Sequence, residues 1–148
     1  MPKSAKSFFT KDQQEDILQA ILNAELDTSG EIRVHIESQC KGDVLERAAY
    51  IFKKLEMDRT KLRNGVLFYL ATQNRSFAIL GDSGIDAVVP DDFWESTKVL
   101  MINHFREDHF AEGLIAGIQQ AGLQLKKHFP YSSDDVNELK NEISFGDN

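Results

Sequence analysis

A chain of 148 residues with 41% hydrophobic and 28% charged side chains is long enough to bury one core without staples, and those proportions argue against a disordered, fibrous or membrane-embedded class. Its 24 acids against 17 bases give a formal charge of −7, a field that repels phosphate backbones and anionic lipid and so disfavours nucleic acid as a partner while favouring cations. The single cysteine, Cys40, excludes an internal disulfide and a cysteine-based zinc site and suits a reducing compartment.

The opening MPKSAKSFFTKDQQ carries lysines but no apolar signal run, and no later stretch approaches the ~20 apolar residues of a membrane span, so a cytoplasmic location and no membrane are the expectation. TKDQQEDILQAILNAEL reads as a helix: Thr10 and Gln13 make a capping box, and Ile17, Leu18, Ile21 and Leu22 form an apolar stripe. Asp27-Thr28-Ser29-Gly30 turns the chain into EIRVHIES. This strand puts Ile32, Val34 and Ile36 on one face and Glu31, Arg33, His35 and Glu37 on the other, the pattern of a strand covered mainly on one side. Asp43 and Glu46 repeat the capping signature before VLERAAYIFKKLEM, with Leu45, Ala48, Ala49, Phe52 and Leu55 at helical spacing. NGVLFYLA and SFAIL are two strands joined by Thr72-Gln73-Asn74-Arg75 as an antiparallel hairpin. After LGDSGIDAVVP, Asp92 and Glu95 introduce the helix FWESTKVLMINHF. Beyond Arg106-Glu107-Asp108 the helix FAEGLIAGIQQAGLQLKKHF ends before Pro130. Asp134 to Ile143 closes the chain as an amphipathic helix or an acidic tail, which divides it into one domain over residues 1–130 and a C-terminal helix or tail over 131–148.

A strand-helix-strand unit folds as a right-handed parallel crossover, so the class is α/β, with a small mixed sheet and helices on both faces. The strand after the hairpin turn runs antiparallel to the first two, and its exit therefore lies beside their entrances. Asp82 and Asp86 are expected near residues 28–31 and 59–64.

Gly-Asp-Ser-Gly at 81–84 is also the tetrapeptide around the nucleophile of trypsin-like peptidases. No base, orienting group or oxyanion donor is signalled for Ser83, and a helical chain cannot make the double β-barrel that chemistry needs. An aspartyl-phosphate site lacks its Asp-x-Asp pair, and no Gly-x-x-x-x-Gly-Lys loop exists. Two readings remain for LGDSGID: a turn built on glycine and aspartate, or a site for a hard divalent cation. The loop is not an EF-hand, because the twelfth residue counted from Asp82 is Phe93. Under the cation reading Asp82 and Asp86 supply carboxylates from one loop, Glu107 and Asp108 from a second that folds back, and Glu31 and Asp58 stand behind them, with Glu25 further back. The four histidines lack a shared helical face and are read as surface or packing residues, and Phe93, Trp94, Phe105 and Phe110 as core. Gly113 and Gly117 permit close helix packing. Arg59, Lys61 and Arg63 form the only basic cluster near the strand entrances, either solvated or placed to clamp a phosphoryl group beside a bound ion.

With these segments in place the chain resembles the TPM domain family, named for a thylakoid-lumen protein, a photosystem II repair protein and a nematode receptor auxiliary protein. The resemblance runs from about Phe8 to Pro130 and rests on AELDTSGEIRV, LEMDRTKLRNGVLFYLA, FAILGDSGID and the FREDHFAEGL segment with its following helix. It implies an αβα sandwich, divalent cations, Ca²⁺ typically, held by loops at one end of the sheet, and an acid phosphatase activity. By position Asp86, Asp108 and Asn64 match family residues. Arg63 stands where exported relatives have aspartate, which weakens a transferred phosphatase site, and Glu107 replaces a usual glycine and adds a carboxylate. Many relatives carry a signal peptide, a membrane helix and a glycine-rich tail; this chain resembles a stand-alone cytoplasmic version.

The leading expectation is a non-enzymatic Ca²⁺-binding domain, with Mg²⁺ as a competitor, whose loops are ordered by metal and read by an unidentified protein partner. The alternative is a metal-assisted acid phosphatase in which Arg59, Lys61 or Arg63 holds charge. A structural adaptor with solvated acidic turns is the third.

Overall fold

The computed structural model describes residues 4–131 and 143–146. The chain runs through α1 (Ala5–Phe8), α2 (Lys11–Glu25), β1 (Glu31–Glu37), α3 (Val44–Lys54), a 3₁₀ turn at Met57–Arg59, and the hairpin β2 (Gly65–Ala71) and β3 (Ser76–Gly81). The one-turn α4 (Ser83–Asp86), α5 (Phe93–Phe105), α6 (Phe110–His128) and β4 (Ile143–Phe145) complete it. The sheet order is β3-β2-β1-β4. β1 pairs in parallel with β2 and β4, and β2 pairs antiparallel with β3. This is the expected α/β class with a small mixed sheet.

Side-chain alternation splits the molecule into two cores. Ile32, Val34, Ile36, Val66, Phe68 and Leu70 face α1, α2, α5 and α6. Leu67, Tyr69, Ala71 and Ala78 face α3 and Met57 on the other side. Helices therefore cover both faces. The α2 capping box forms as read, with the Gln13 amide donating to Thr10 Oγ1 at 3.0 Å and the Thr10 amide to Gln13 Oε1 at 2.9 Å. The apolar stripes are shifted. Ile17, Ala20, Ile21 and Ala24 are the buried residues of α2 and Ala48 and Ile51 those of α3, whereas Leu22 and Leu45 are exposed.

Two departures matter. Ile143 to Phe145, expected in or beside an acidic helix or tail, form a strand that docks on β1, with the Gly146 amide bonded to the Ile36 carbonyl at 2.9 Å. The rest of the expected Asp134–Ile143 helix lies outside the described residues. Second, β1 is buried on both faces: Glu31, Arg33, His35 and Glu37 are buried like the apolar residues between them, and Arg47 of α3 reaches across to Glu37. Of the two kinds expected for the histidines, surface or packing, His35 at 5% exposed is the packing kind. No helix of the described residues is long and apolar enough to cross a membrane.

Candidate functional site

Strand pairing builds the site. Glu31 is level with Gly65 and Val66 with Gly81, so the entrances of β1 and β2 and the exit of β3 share one end of the sheet. The loops there are stitched together by backbone. The Asp82 amide donates to the Gly65 carbonyl at 2.9 Å, Gly84 to Arg63 at 2.7 Å and Glu31 to Asn64 at 3.3 Å. Asn64 Nδ2 adds a bond to Ser29 Oγ at 3.2 Å. Asp82 and the turn that carries Asp86 therefore lie against residues 63–65, which in turn join residues 29–31, the neighbourhood the crossover argument expects.

LGDSGID is a helix start. Asp82 caps α4, its carboxylate accepting the Ser83 amide at 2.8 Å, and Gly84 backs onto the preceding loop so closely that a Cβ there would stand 2.0 Å from the Leu62 carbonyl oxygen. Ser83 is exposed. The Asp82 carboxylate is also gripped by Arg63 as a fork, Nε to Oδ2 at 2.6 Å and Nη2 to Oδ1 at 2.7 Å. The hydrogen bonds Arg63 donates to Asp82, and the charges of Asp82 and Asp58, raise the Arg63 pKa further, so this guanidinium is a permanent cation beside the acidic loop. Arg63 holds a left-handed φ of 54° to reach it. Asp86 accepts Trp94 Nε1 at 2.9 Å. Arg59 pairs on the surface with Glu56 at 3.3 Å. Glu31 is 2% exposed at the mouth of β1. Asn64 is 1% exposed, and its Oδ1 accepts no hydrogen bond from the described residues.

Glu107 and Asp108 are elsewhere. α5 starts with Trp94 against Gly81 and ends with Phe105 against Phe77, so it runs back along β3. Its 13 residues carry the next loop about 20 Å, the length of the sheet. Asp108 there faces Arg75 of the hairpin turn at 3.3 Å, and His109 Nδ1 sits 3.8 Å from Glu107 and 3.9 Å from Glu112. The expectation that one cation joins the 82–86 and 107–108 loops is corrected: the two acidic pairs occupy opposite ends of β3.

Among the described residues no three His, Cys, Asp or Glu side chains converge as a metal cluster. What the entrance end offers a hard cation is oxygen of mixed kinds: the Asp82, Asp86 and Asp58 carboxylates, the Asn64 amide oxygen and the Ser29 hydroxyl. This donor chemistry suits Ca²⁺ or Mg²⁺, with Arg63 as a rival for Asp82. Asn64 matches the family by position without being named a ligand from the sequence, and Arg63, expected as a solvated charge balancing the acidic loop or as a phosphate clamp, pairs directly with Asp82 of that loop. Their shared loop neighbourhood was the available signal.

A family model described as the TPM domain matches residues 3–124. Among solved structures, the NMR structure of the BA42 protein from the psychrophilic bacterium Bizionia argentinensis is similar at 46% identity and a TM-score of 0.88, covering 99% of this chain and 100% of that chain. The N-terminal domain of a P. gingivalis protein aligns at 19% identity and a TM-score of 0.71, over 85% of this chain and 83% of that one. The N-terminal domain of the cg2496 protein from Corynebacterium glutamicum aligns at 15% identity and 0.66, over 90% and 84%. These last two likenesses speak for the fold alone. No curated protein matches the chain.

Proposed function

The chain belongs to the TPM domain family, and from that premise we propose that it is a divalent-cation-binding domain, for Ca²⁺ or Mg²⁺, whose loops at the strand entrances are ordered by the ion. The observation that carries the reading is the Asn64 amide oxygen, buried without a hydrogen bond from the described residues where the loops of Ser29, Arg63 and Asp82 meet. Leaving such an oxygen unbonded costs about 1–3 kcal/mol, and a hard cation is a partner that recovers it. Asn64, Asp82 and Asp86 would hold the ion, with Asp58 and Glu31 behind them. Arg63 competes for Asp82, so metal binding and release of the guanidinium are linked. Loop order would then depend on ion concentration and be legible to a protein partner.

The phosphomonoesterase reading has less support. Arg63 is committed to Asp82 and Arg59 to Glu56, so both guanidiniums expected to hold a phosphoryl group are engaged by carboxylates.

Ca²⁺ and then Mg²⁺ titrated into metal-stripped protein, followed by amide chemical shifts, test the proposal. Saturable shifts are expected at residues 27–31, 58–65 and 82–92. They weaken in the Asp82→Asn, Asp86→Asn double variant and tighten in Arg63→Gln, where the rival cation is gone. Shifts confined to residues 106–110, or none at millimolar metal, defeat it.

A further inference from the structure

The strand-entrance reading leaves unused the buried polar face of β1. An inner strand that buries an acid, a histidine and an arginine gains no stability over well-packed apolar residues, and such clusters concentrate at functional sites. Here the groups form a directed chain. Glu37, 1% exposed, receives Arg47 Nε at 3.0 Å and the Tyr69 hydroxyl at 2.5 Å. Burial disfavours its charge, yet the bonds from Arg47 and Tyr69 outweigh burial and hold its pKa below the usual carboxylate range. An ionised Glu37 only accepts, so His35 Nε2, 3.4 Å from Glu37 Oε1, carries the ring proton. The other nitrogen, Nδ1, is then a free base, and Ser144 Oγ lies 2.7 Å from it. The hydroxyl's alternative acceptor, the Val34 carbonyl, is more distant at 3.4 Å. Burial also lowers the His35 pKa, which keeps the ring neutral. Strand register produces this order, since Ser144 is the parallel-pair partner of His35 across β1 and β4.

The chain of bonds opens on a cavity of about 250 Å³ lined by His35, Glu37, Arg47, Lys54, Ser144 and Phe145. We propose that this cavity is a second functional site, in which Ser144 is a nucleophile, His35 its base and Glu37 the positioning residue, and that its substrate is a small carboxylic ester bearing an anionic group. The size admits only a small molecule. Ile51, Leu55 and Phe145 provide apolar wall. Arg47 is offset by Glu37, whereas Lys54 makes no ion pair among the described residues and leaves positive charge on the rim.

Ser144 Oγ adds to the ester carbonyl carbon while its proton passes to His35 Nδ1. The tetrahedral adduct collapses with cleavage of the bond to the alcohol oxygen, which takes the proton back from Nδ1. Water then attacks the acyl-Ser144 by the same transfer, releasing the carboxylic acid and restoring the hydroxyl.

The full chain is treated with a fluorophosphonate, which a nucleophilic serine attacks with loss of fluoride, and the adduct is located by peptide mass spectrometry. A single adduct on Ser144 is expected, absent in Ser144→Ala and slowed about a hundredfold in His35→Gln. In the unaltered protein the labelling rate should fall as the pH drops through a midpoint below 6.5, the ordinary histidine value, reporting the ring faced by Glu37 and Arg33 on β1, Arg47 on α3, Tyr69 on β2 and Ser144 on β4. A hydroxyl with only a structural role gives no adduct, and that result overturns the proposal, as does labelling at Ser83 or a rate indifferent to His35 and pH. 4-Acetoxybenzoate, whose carboxylate cannot reach its own ester, should be hydrolysed faster over its spontaneous rate than the neutral methyl 4-acetoxybenzoate, with the advantage lost in Lys54→Met; equal accelerations overturn the anionic assignment.

Discussion

Glu25 shows how one side chain can set the pH response. It ends α2, accepts the Ile32 amide at 2.8 Å, and burial pushes its pKa from 4.5 up to about 7 despite that bond. The folded chain thus holds a proton that the unfolded chain releases above 4.5, so this residue's contribution is fully present below 4.5 and is lost as the pH rises to about 7. Glu25→Gln keeps an acceptor for Ile32 and has no charge to bury. Urea denaturation should find the variant more stable than the parent by about 2–3 kcal/mol at about pH 8, with the difference gone at about pH 4. Asp82 is the buried acid whose donors are all in place: it is 7% exposed, and Arg63 and the Ser83 amide donate to its carboxylate. The acid was legible as a candidate ligand, but its partner lies 19 residues earlier, and a carboxylate beside glycine reads the same whether a metal or a guanidinium faces it.

At the scale of elements, capping residues and periodicity carried most of the information. The α2 box, the Asp43 cap on Glu46 and the β2–β3 hairpin all stand where their residues imply. The stripes drifted toward Leu22 and Leu45 because a leucine scores as core wherever it falls, while Ala20, Ala24 and Ile51 take the inner positions. α4 was read as a turn, which a single turn of helix nearly is. Its seat depends on Gly84. In Gly84→Ala the new Cβ meets the Leu62 oxygen at 2.0 Å and the Arg63 oxygen at 2.6 Å, and backbone cannot yield as a side-chain tip can. The substitution should cost about 1–3 kcal/mol, seen as a lower urea midpoint with an unchanged slope. It should also shift the amide signals of Arg63 and Asp82.

For the whole molecule, β4 has the greatest consequence. It extends the sheet and makes β1 an inner strand, and it brings Ser144 to His35. A chain ending at Tyr131 should remain folded around α2, α5 and α6, lose about 2 kcal/mol or more of apolar burial from Ile143 and Phe145, and expose alternate β1 amides. Hydrogen exchange would register this as faster loss of the amides facing β4 within Val34–Ile36, with Ile32 still bonded to Glu25, and unchanged protection there would contradict the pairing. The sequence by itself determined the α/β class, most of the helices and strands, the TPM resemblance, and the convergence of the Ser29, Asn64 and Asp82 loops, because capping, periodicity and the handedness of a strand-helix-strand unit are local. Tertiary structure alone decided that Glu107 and Asp108 lie a helix length from Asp82, that Arg63 occupies Asp82, and that the polar face of β1 is buried. Those outcomes depend on where a 13-residue helix delivers its loop and on what packs over a strand, and an alternating run such as EIRVHIE has the same pattern whether its second face meets water or protein.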